Sequence, residues 1–298
     1  MWRYGGAARG NVAKAGRERL DEALVARGLA ESRSQARALV MAGAVRVGGR
    51  VVDKPGMPLP EGLLEVTGGG RFVSRGGEKL QRALDRFLVA PTGWVCADLG
   101  ASTGGFTDCL LQAGAARVYA VDVGRGQIHW RLRQDPRVVT IERQNARYLE
   151  SLPEPVALVV VDVSFISLAL IFPTMRRLLA PAGQALTLVK PQFEAGRGAV
   201  GKGGVVRDPA THRSVLHQFL VDARREGFGT RGLIPSPLRG PAGNVEFLAH
   251  LQLSDAETVP LSGDDTLVEG AMAALTSDAL TNESDDKVGS EDTVPGVS

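Results

Sequence analysis

Four charged residues follow four apolar runs of strand length: Asp98 after Trp94–Ala97, Asp122 after Val118–Val121, Asp162 after Ala157–Val161 and Lys190 after Ala185–Val189. In an open α/β sheet, ligands bind beyond the carboxyl ends of the strands, so three acids and a lysine at those positions would line one working edge. The loop opened by Asp98 (Gly100, Ala101, Ser102, Thr103, Gly104, Gly105, Phe106) is glycine-rich without matching the dinucleotide fingerprint. A carboxylate beside such a loop would repel a pyrophosphate, yet it suits a cofactor carrying an ammonium and a sulfonium. This favours S-adenosylmethionine over a nicotinamide dinucleotide. Asp122, about twenty residues further on, is placed to accept hydrogen bonds from ribose hydroxyls. Asn145, after a third run at Val138–Ile141, either contacts an adenine or caps the helix that follows.

The acceptor side of the edge narrows the chemistry. No Asn/Asp-Pro-Pro-aromatic segment follows the fourth run, where Asp162, Val163, Ser164 and Phe165 stand instead, so nothing points to a ring-nitrogen or exocyclic-amine target. Cys96 lies inside the first strand and Cys109 inside the next helix, which leaves neither placed to attack a pyrimidine. A hydroxyl acceptor needs a base and a way to hold the incipient alkoxide, and Lys190 with Asp162 is a matching pair. If the last strand, Val245–Leu253, runs antiparallel to its neighbour, Glu246 falls on the same rim and can hold Lys190. The competing reading is a structural Lys190–Asp162 ion pair.

The elements behind this edge read as a doubly wound α/β domain of about seven strands. Near-continuous Val/Leu/Ile runs alternate with helical stretches, including Arg213–Arg225, and strands near Thr230–Ile234 and Val245–Leu253 close it as a hairpin. A helix over Gly77–Val89, with Leu80, Leu84, Phe87 and Leu88 as its apolar stripe, leads into it after the glycine-rich join Gly68–Gly70. Residues 17–75 form a smaller α+β unit: one helix ends at Gly28, a second is capped by Ser32 or Ser34 and ended by Gly43, and a hairpin turns at Gly48-Gly49. Arg27, Arg33, Arg37 and Arg46 give this unit a basic face, which by itself is equally a solvated surface.

Length and charge fit this division. The chain has 298 residues, enough for about two domains. Lys and Arg exceed Asp and Glu by only 2, but residues 254–298 hold eleven acids and one lysine, so residues 1–253 carry a net +12. That excess suits a polyanionic partner. Residues 1–16 read as a flexible basic arm, and residues 254–298 as a disordered acidic tail with one weakly helical patch at Leu267–Leu275. Two spaced-apart cysteines imply a reducing, cytoplasmic setting, and neither a secretory signal nor a spanning segment is expected. His212 and His217 lie five apart and do not share a helix face, so no metal site is expected. Gly196–Gly204 approaches a phosphate-binding loop, but Gly203 replaces the hydroxyl residue that would hold magnesium.

Two resemblances sharpen these readings. Arg33-Ser34-Gln35-Ala36-Arg37, then Leu39-Val40, Ala42-Gly43, Val45 and Val47-Gly48-Gly49 resemble the S4 RNA-binding module. Gly100–Asp108, Asp162–Ser167, Lys190–Glu194, Gly243–Glu246 and the junction Ser74-Arg75-Gly76-Gly77-Glu78-Lys79-Leu80 resemble the TlyA family of ribosomal RNA 2′-O-methyltransferases, also labelled haemolysin A, over about residues 17–253. The resemblance implies an S4-like domain over residues 17–75 and an FtsJ-like, Rossmann-like methyltransferase domain over residues 76–253. It also implies a tetrad of Lys79, Asp162, Lys190 and Glu246, S-adenosylmethionine as cofactor, and cytidine targets in the RNA of ribosomal subunits. Arg75 in the junction joins the basic residues expected to meet RNA. Pro91-Thr92-Gly93-Trp94 keeps the family's joint tryptophan without its arginine. No membrane and no protein partner are implied. The other classes left open are a non-catalytic RNA-binding or ribosome-assembly factor and a membrane-active haemolysin.

Overall fold

The computed structural model describes residues 8–9, 18–30, 33–41, 43–66, 71–201, 203–240, 242–254 and 263–288. The smaller unit pairs helices α1 (Leu20–Ala26) and α2 (Arg33–Met41) with an antiparallel sheet of β1 (Ala8–Arg9), β2 (Val45–Val47), β3 (Arg50–Val51) and β4 (Leu64–Val66), in the order β1-β4-β2-β3. Its core is Leu20, Leu24, Ala36, Val40, Val45 and Leu64, the positions that helical spacing and strand alternation point inward. Gly48 and Gly49 both take positive φ, the conformation that a two-residue turn matching strand twist requires. Ser32 lies outside the described residues, as do Gly68–Gly70. Of the arm expected to be flexible, Ala8–Arg9 instead pairs with Val66 and Glu65 of β4.

Helix α3 (Gly76–Phe87) leads into the larger unit, an α/β domain on a seven-stranded sheet. Its strands are β5 (Val95–Leu99), β6 (Arg117–Asp122), β7 (Val138–Glu142), β8 (Val156–Val161), β9 (Leu179–Val189), β10 (Phe228–Pro235) and β11 (Phe247–Leu253). The order is β10-β11-β9-β8-β5-β6-β7, with β11 antiparallel to both neighbours and the ladders among β5 to β9 parallel. One core cluster gathers Val159, Val161, Phe172, Phe219 and Phe247, and a second gathers Leu80, Leu110, Leu158, Val160 and Leu188. Alternate residues of β8 enter different clusters, so this strand is apolar throughout because both of its faces are covered.

Helices α4 (Gly105–Gln112), α5 (Trp130–Arg133), α6 (Phe172–Leu178), α7 (Pro191–Glu194) and α8 (Pro209–Arg225) fill the connections. Helix α8 starts four residues before the expected Arg213. Asp208 accepts the N–H groups of Ala210 and Thr211, and Pro209 occupies the first turn, where its missing N–H costs nothing.

The acidic tail departs from expectation. Helix α9 spans Asp264–Val288, well beyond the Leu267–Leu275 patch. Val268, Ala271 and Met272 are buried in the larger core cluster, and Glu269 and Asp264 pair with Arg213 and Arg224 of α8. Disorder was expected from the segment's acidity, and what offsets that acidity is the basic face of a helix some fifty residues earlier in the chain.

Candidate active site

The sheet brings the charged strand ends together as anticipated. Asp162 follows β8 and Lys190 follows β9, and the parallel ladder pairs Val161 with Thr187 just beneath them. Phe247 of β11 pairs with Val189, so the antiparallel return sets Glu246 beside Lys190 along the backbone. Lys79 enters from the first turns of α3.

The side chains divide into two ion pairs, Lys79–Glu246 buried and Lys190–Asp162 half-buried, with the Asp162 side chain 25% exposed. Lys190 Nζ lies 2.6 Å from Asp162 Oδ1 and donates to Ser164 Oγ at 3.0 Å. Lys79 Nζ lies 2.5 Å from Glu246 Oε2. Glu246 therefore holds Lys79, and the expectation that it holds Lys190 is corrected. Lys190 turns toward β8, where a carboxylate waits at the adjoining strand end, whereas Glu246 turns toward α3. Lys79, Lys190 and Glu246 are 9%, 8% and 2% exposed, so each charge depends on its partner for compensation. Burial pushes the Asp162 carboxyl up, but the charges of Lys190 and Lys79 and the Lys190 hydrogen bond together outweigh it, holding the group below its ordinary range. Gly240 makes room for the Glu246 head, because a Cβ there would stand 2.6 Å from Oε1.

Beside the pairs opens a cavity of about 760 Å³, lined by Gly100, Ser102, Asp122, Asn145, Asp162 and Phe193 among others. Its size falls in the range of small-molecule and cofactor sites. Asp122 accepts the N–H groups of Ser102 at 2.8 Å and Gly124 at 2.7 Å, which leaves each of its oxygens a further lone pair. Asn145 caps the short helical turn Ala146–Tyr148 by accepting from Arg147 N at 2.9 Å, and it also lines the cavity. Val123, Ile166 and Leu170 supply apolar wall. Gly100 is required by close approach: its φ is +89° and a Cβ would lie 2.5 Å from the Asp162 carbonyl oxygen. The size of the cavity, its apolar wall and the free acceptor capacity of Asp122 fit an adenosyl group.

Other residues of the glycine loop act from behind it. Asp98, expected beside a ligand ammonium, is instead fully buried and does not line the cavity. Its Oδ2 accepts from Thr107 Oγ1 at 2.7 Å, its Oδ1 has no partner, and burial raises its carboxyl to about 7. Gly104 takes a φ of +94° as the residue preceding α4, and a Cβ there would meet Leu132 Cδ1 at 2.3 Å. Thr103 and Gly105 line a second cavity of about 400 Å³, which also touches Lys79, Asp162 and Lys190. Asp53, Lys54 and Pro55 of the smaller unit also line it, so residues of both units share this cavity with Lys79, Asp162 and Lys190.

Sequence reasoning gave no separate role to the aromatic pair at the mouth. Phe165 is 89% exposed at a φ of +64°, with its ring centroid 4.9 Å from that of Phe193. A large apolar side chain in a left-handed conformation, open to solvent, is unusual enough to mark a functional segment. Of the arginines expected to meet a polyanion, Arg33, Arg37 and Arg46 are exposed. Arg27 pairs with Glu18, Arg33 with Asp21 and Glu22, and Arg75 with Asp53. Lys202 in the near phosphate-binding loop lies outside the described residues. Cys96 and Cys109 are free and buried, and burial pushes both thiols up to about 12. Among the described residues no helix is long and apolar enough to cross a membrane.

An S4-like module ahead of a Rossmann-like sheet with this glycine loop and strand-end tetrad defines a two-domain methyltransferase. The FtsJ-like methyltransferase family model matches residues 72–253, and the S4 domain model matches residues 18–64. A candidate rRNA methyltransferase of Bacillus subtilis (strain 168), YqxC, is 50% identical over 79% of this chain and 85% of its own length. The 16S/23S rRNA (cytidine-2′-O)-methyltransferase TlyA of Mycobacterium tuberculosis (strain ATCC 25618 / H37Rv) is 45% identical over 86% of this chain and 98% of its own. A solved structure of a candidate hemolysin from Streptococcus thermophilus superposes with a TM-score of 0.69 at 42% identity, covering 89% of this chain and 99% of the other. The chain belongs to the TlyA family, also called the haemolysin A family, of S4-plus-FtsJ-like methyltransferases.

Proposed function

We propose that this protein transfers the methyl group of S-adenosylmethionine to a ribose 2′-hydroxyl, of cytidine, in ribosomal RNA. The observation that carries the reading is the two ion pairs at one rim, half-buried Lys190–Asp162 and buried Lys79–Glu246, beside the cavity that Asp122 lines. Such a rim suits a neutral hydroxyl that must lose a proton as it attacks. The cofactor would supply an electrophilic methyl carbon on a sulfonium, held with its ribose at Asp122 and its adenine by Asn145 and the apolar wall.

On the acceptor side, Lys79 and Lys190 both line the second cavity, and Lys190 is the one that also contacts Asp162 and Ser164. As the oxygen–methyl bond would form and the sulfur–methyl bond break, the hydroxyl proton would pass to solvent, and the Lys190 ammonium, held by Asp162, would stabilise the developing alkoxide. Asp162 orients Lys190, and the Lys79–Glu246 pair supplies a second fixed cation near Asp162 without its own proton transfer. Most of the acceleration comes from fixing oxygen, methyl carbon and sulfur in line. Phe165 offers its face to the base of the presented nucleotide, and the exposed Arg37 and Arg46 meet phosphates. The cytidine assignment draws on the Mycobacterium tuberculosis relative.

The test is labelled methyl transfer to free rRNA and to separated ribosomal subunits, followed by nucleoside mass spectrometry. A 2′-O-methylated cytidine is the expected product. Cofactor binding without incorporation into any of these RNAs would favour a non-catalytic assembly factor.

A further inference from the structure

The two loops that carry the Lys190–Asp162 pair are joined twice. Their near ends are fixed by the β8–β9 ladder at Val161 and Thr187. Their far ends are joined by one side chain. Glu194 Oε2 accepts the Ser167 hydroxyl at 2.6 Å, and Glu194 Oε1 accepts the Leu168 N–H at 2.9 Å. Ser167 Oγ in turn accepts the Ala169 N–H at 3.2 Å. Between ladder and bridge lie Asp162, Ser164 and Phe165 on one loop and Lys190 and Phe193 on the other.

A carboxylate is the side chain this bridge requires, because it alone offers two acceptor oxygens to two donors at once. Glutamine in the same place would turn its amide N–H group toward one of those donors. The bridge also holds a conformation that the chain does not favour: Phe165 sits at a φ of +64°, which persists only where its surroundings fix the backbone. The charged group that faces Glu194 from α8 is Asp222, another acid, and burial raises the Glu194 carboxyl while the Ser167 and Leu168 hydrogen bonds oppose that rise. Keeping an acid in this setting is costly unless its two bonds matter.

We propose that Glu194 is a positioning residue for methyl transfer: by tying Ser167 and Leu168 to the end of α7, it keeps Lys190 Nζ at hydrogen-bond distance from both Asp162 and Ser164. Glu194 touches no reacting group itself, and the inference rests on the catalytic reading of Lys190.

The experiment compares the full-length wild type with Glu194→Ala, Glu194→Gln and Ser167→Ala in single-turnover methyl transfer to purified rRNA at saturating S-adenosylmethionine. Amide hydrogen exchange at Leu168 and Ala169 is measured in parallel. Glu194→Ala lowers the turnover constant by about 10²-fold, the loss expected from a misplacement of about 1 Å, while cofactor Kd and RNA KM stay within about threefold. Glu194→Gln, which keeps one acceptor, restores about tenfold of that loss. Ser167→Ala loses about tenfold with Glu194 intact and serves if Glu194→Ala does not fold. Exchange at Leu168 accelerates in Glu194→Ala. A turnover constant within about threefold of wild type, or a loss that appears only in Kd or KM, overturns the proposal. A wild type that methylates no RNA counts against the function instead. The bridge is then judged by exchange alone, which supports it if Leu168 loses protection and overturns it if protection is unchanged.

Discussion

Replacing Glu246 with alanine strands Lys79 beneath the surface. The pair is 2.5 Å apart, and its side chains are 11% and 1% exposed, so solvent cannot take over the role of the missing carboxylate. Removing one partner of a buried ion pair costs about 3–5 kcal/mol, because the remaining charge is left uncompensated. With a urea dependence of about 3 kcal/mol/M, the unfolding midpoint falls by about 1–1.7 M. The double substitution Lys79→Met with Glu246→Leu removes both charges and fills similar volume, so stability returns to within about 1 kcal/mol of wild type. Methyl transfer does not return with it, because the second cation of the rim is gone. Urea unfolding and labelled methyl transfer on the same three proteins separate the two effects. Two results would refute the reasoning: a Glu246→Ala variant as stable as wild type, or a double variant that turns over normally.

Three further outcomes follow from the geometry. Gly104→Val forces a branched side chain into positive φ and against Leu132, costing about 2–4 kcal/mol from strain and overpacking together, and thermal unfolding checks it. Cofactor binding is lost with the loop; an unchanged midpoint with intact binding contradicts the packing argument. Asp98→Asn stabilises the cofactor-free protein at pH 8 and does so little at pH 4. The Asp98 carboxyl titrates near 7 when folded and near 3.8 when unfolded, so the unfolded chain binds fewer protons between those values and stability falls as pH rises through them. Above pH 7 the cost is constant, about 4 kcal/mol at most, and equal gains at both pH values would show that burial does not perturb Asp98. Arg37→Ala with Arg46→Ala weakens RNA binding and flattens its dependence on salt by about two phosphate contacts, whereas an unchanged salt slope would place the RNA elsewhere.

The strand ends were readable because a two-sided parallel sheet needs unbroken apolar runs, and a charged residue that ends such a run stands out. The antiparallel return of the last strand then located Glu246 relative to Val189 before any side chain was known. What periodicity does not carry is the direction in which a long side chain turns. Lys79, on a helix 167 residues before Glu246, becomes its partner only through the packing of α3 beside β11, and spacing alone offered no sign of it. The family resemblance did. Asp98, read as following a strand that ends at Ala97, lies inside β5, which runs on to Leu99 and buries its carboxyl against Thr107 rather than at the cavity. Helix α9 was missed for a related reason: its acids look solvating until Arg213 and Arg224 are known to lie opposite them. The arginines show the same limit, since Arg27, read in sequence as part of a basic face, is mostly covered and pairs with Glu18 in the fold, while Arg33 pairs with acids yet stays exposed.

The most direct measurement of the central claim is alkaline hydrolysis of rRNA treated with S-adenosylmethionine and either wild-type protein or Lys190→Ala. Methylation at the 2′-oxygen removes the nucleophile that cleaves the adjoining phosphodiester, so the modified position resists alkali. The account predicts a discrete resistant cytidine with the wild type and none with Lys190→Ala, which still binds the cofactor with nearly wild-type affinity. Methyl label on a base with no resistant position, or equal protection by both proteins, would contradict it.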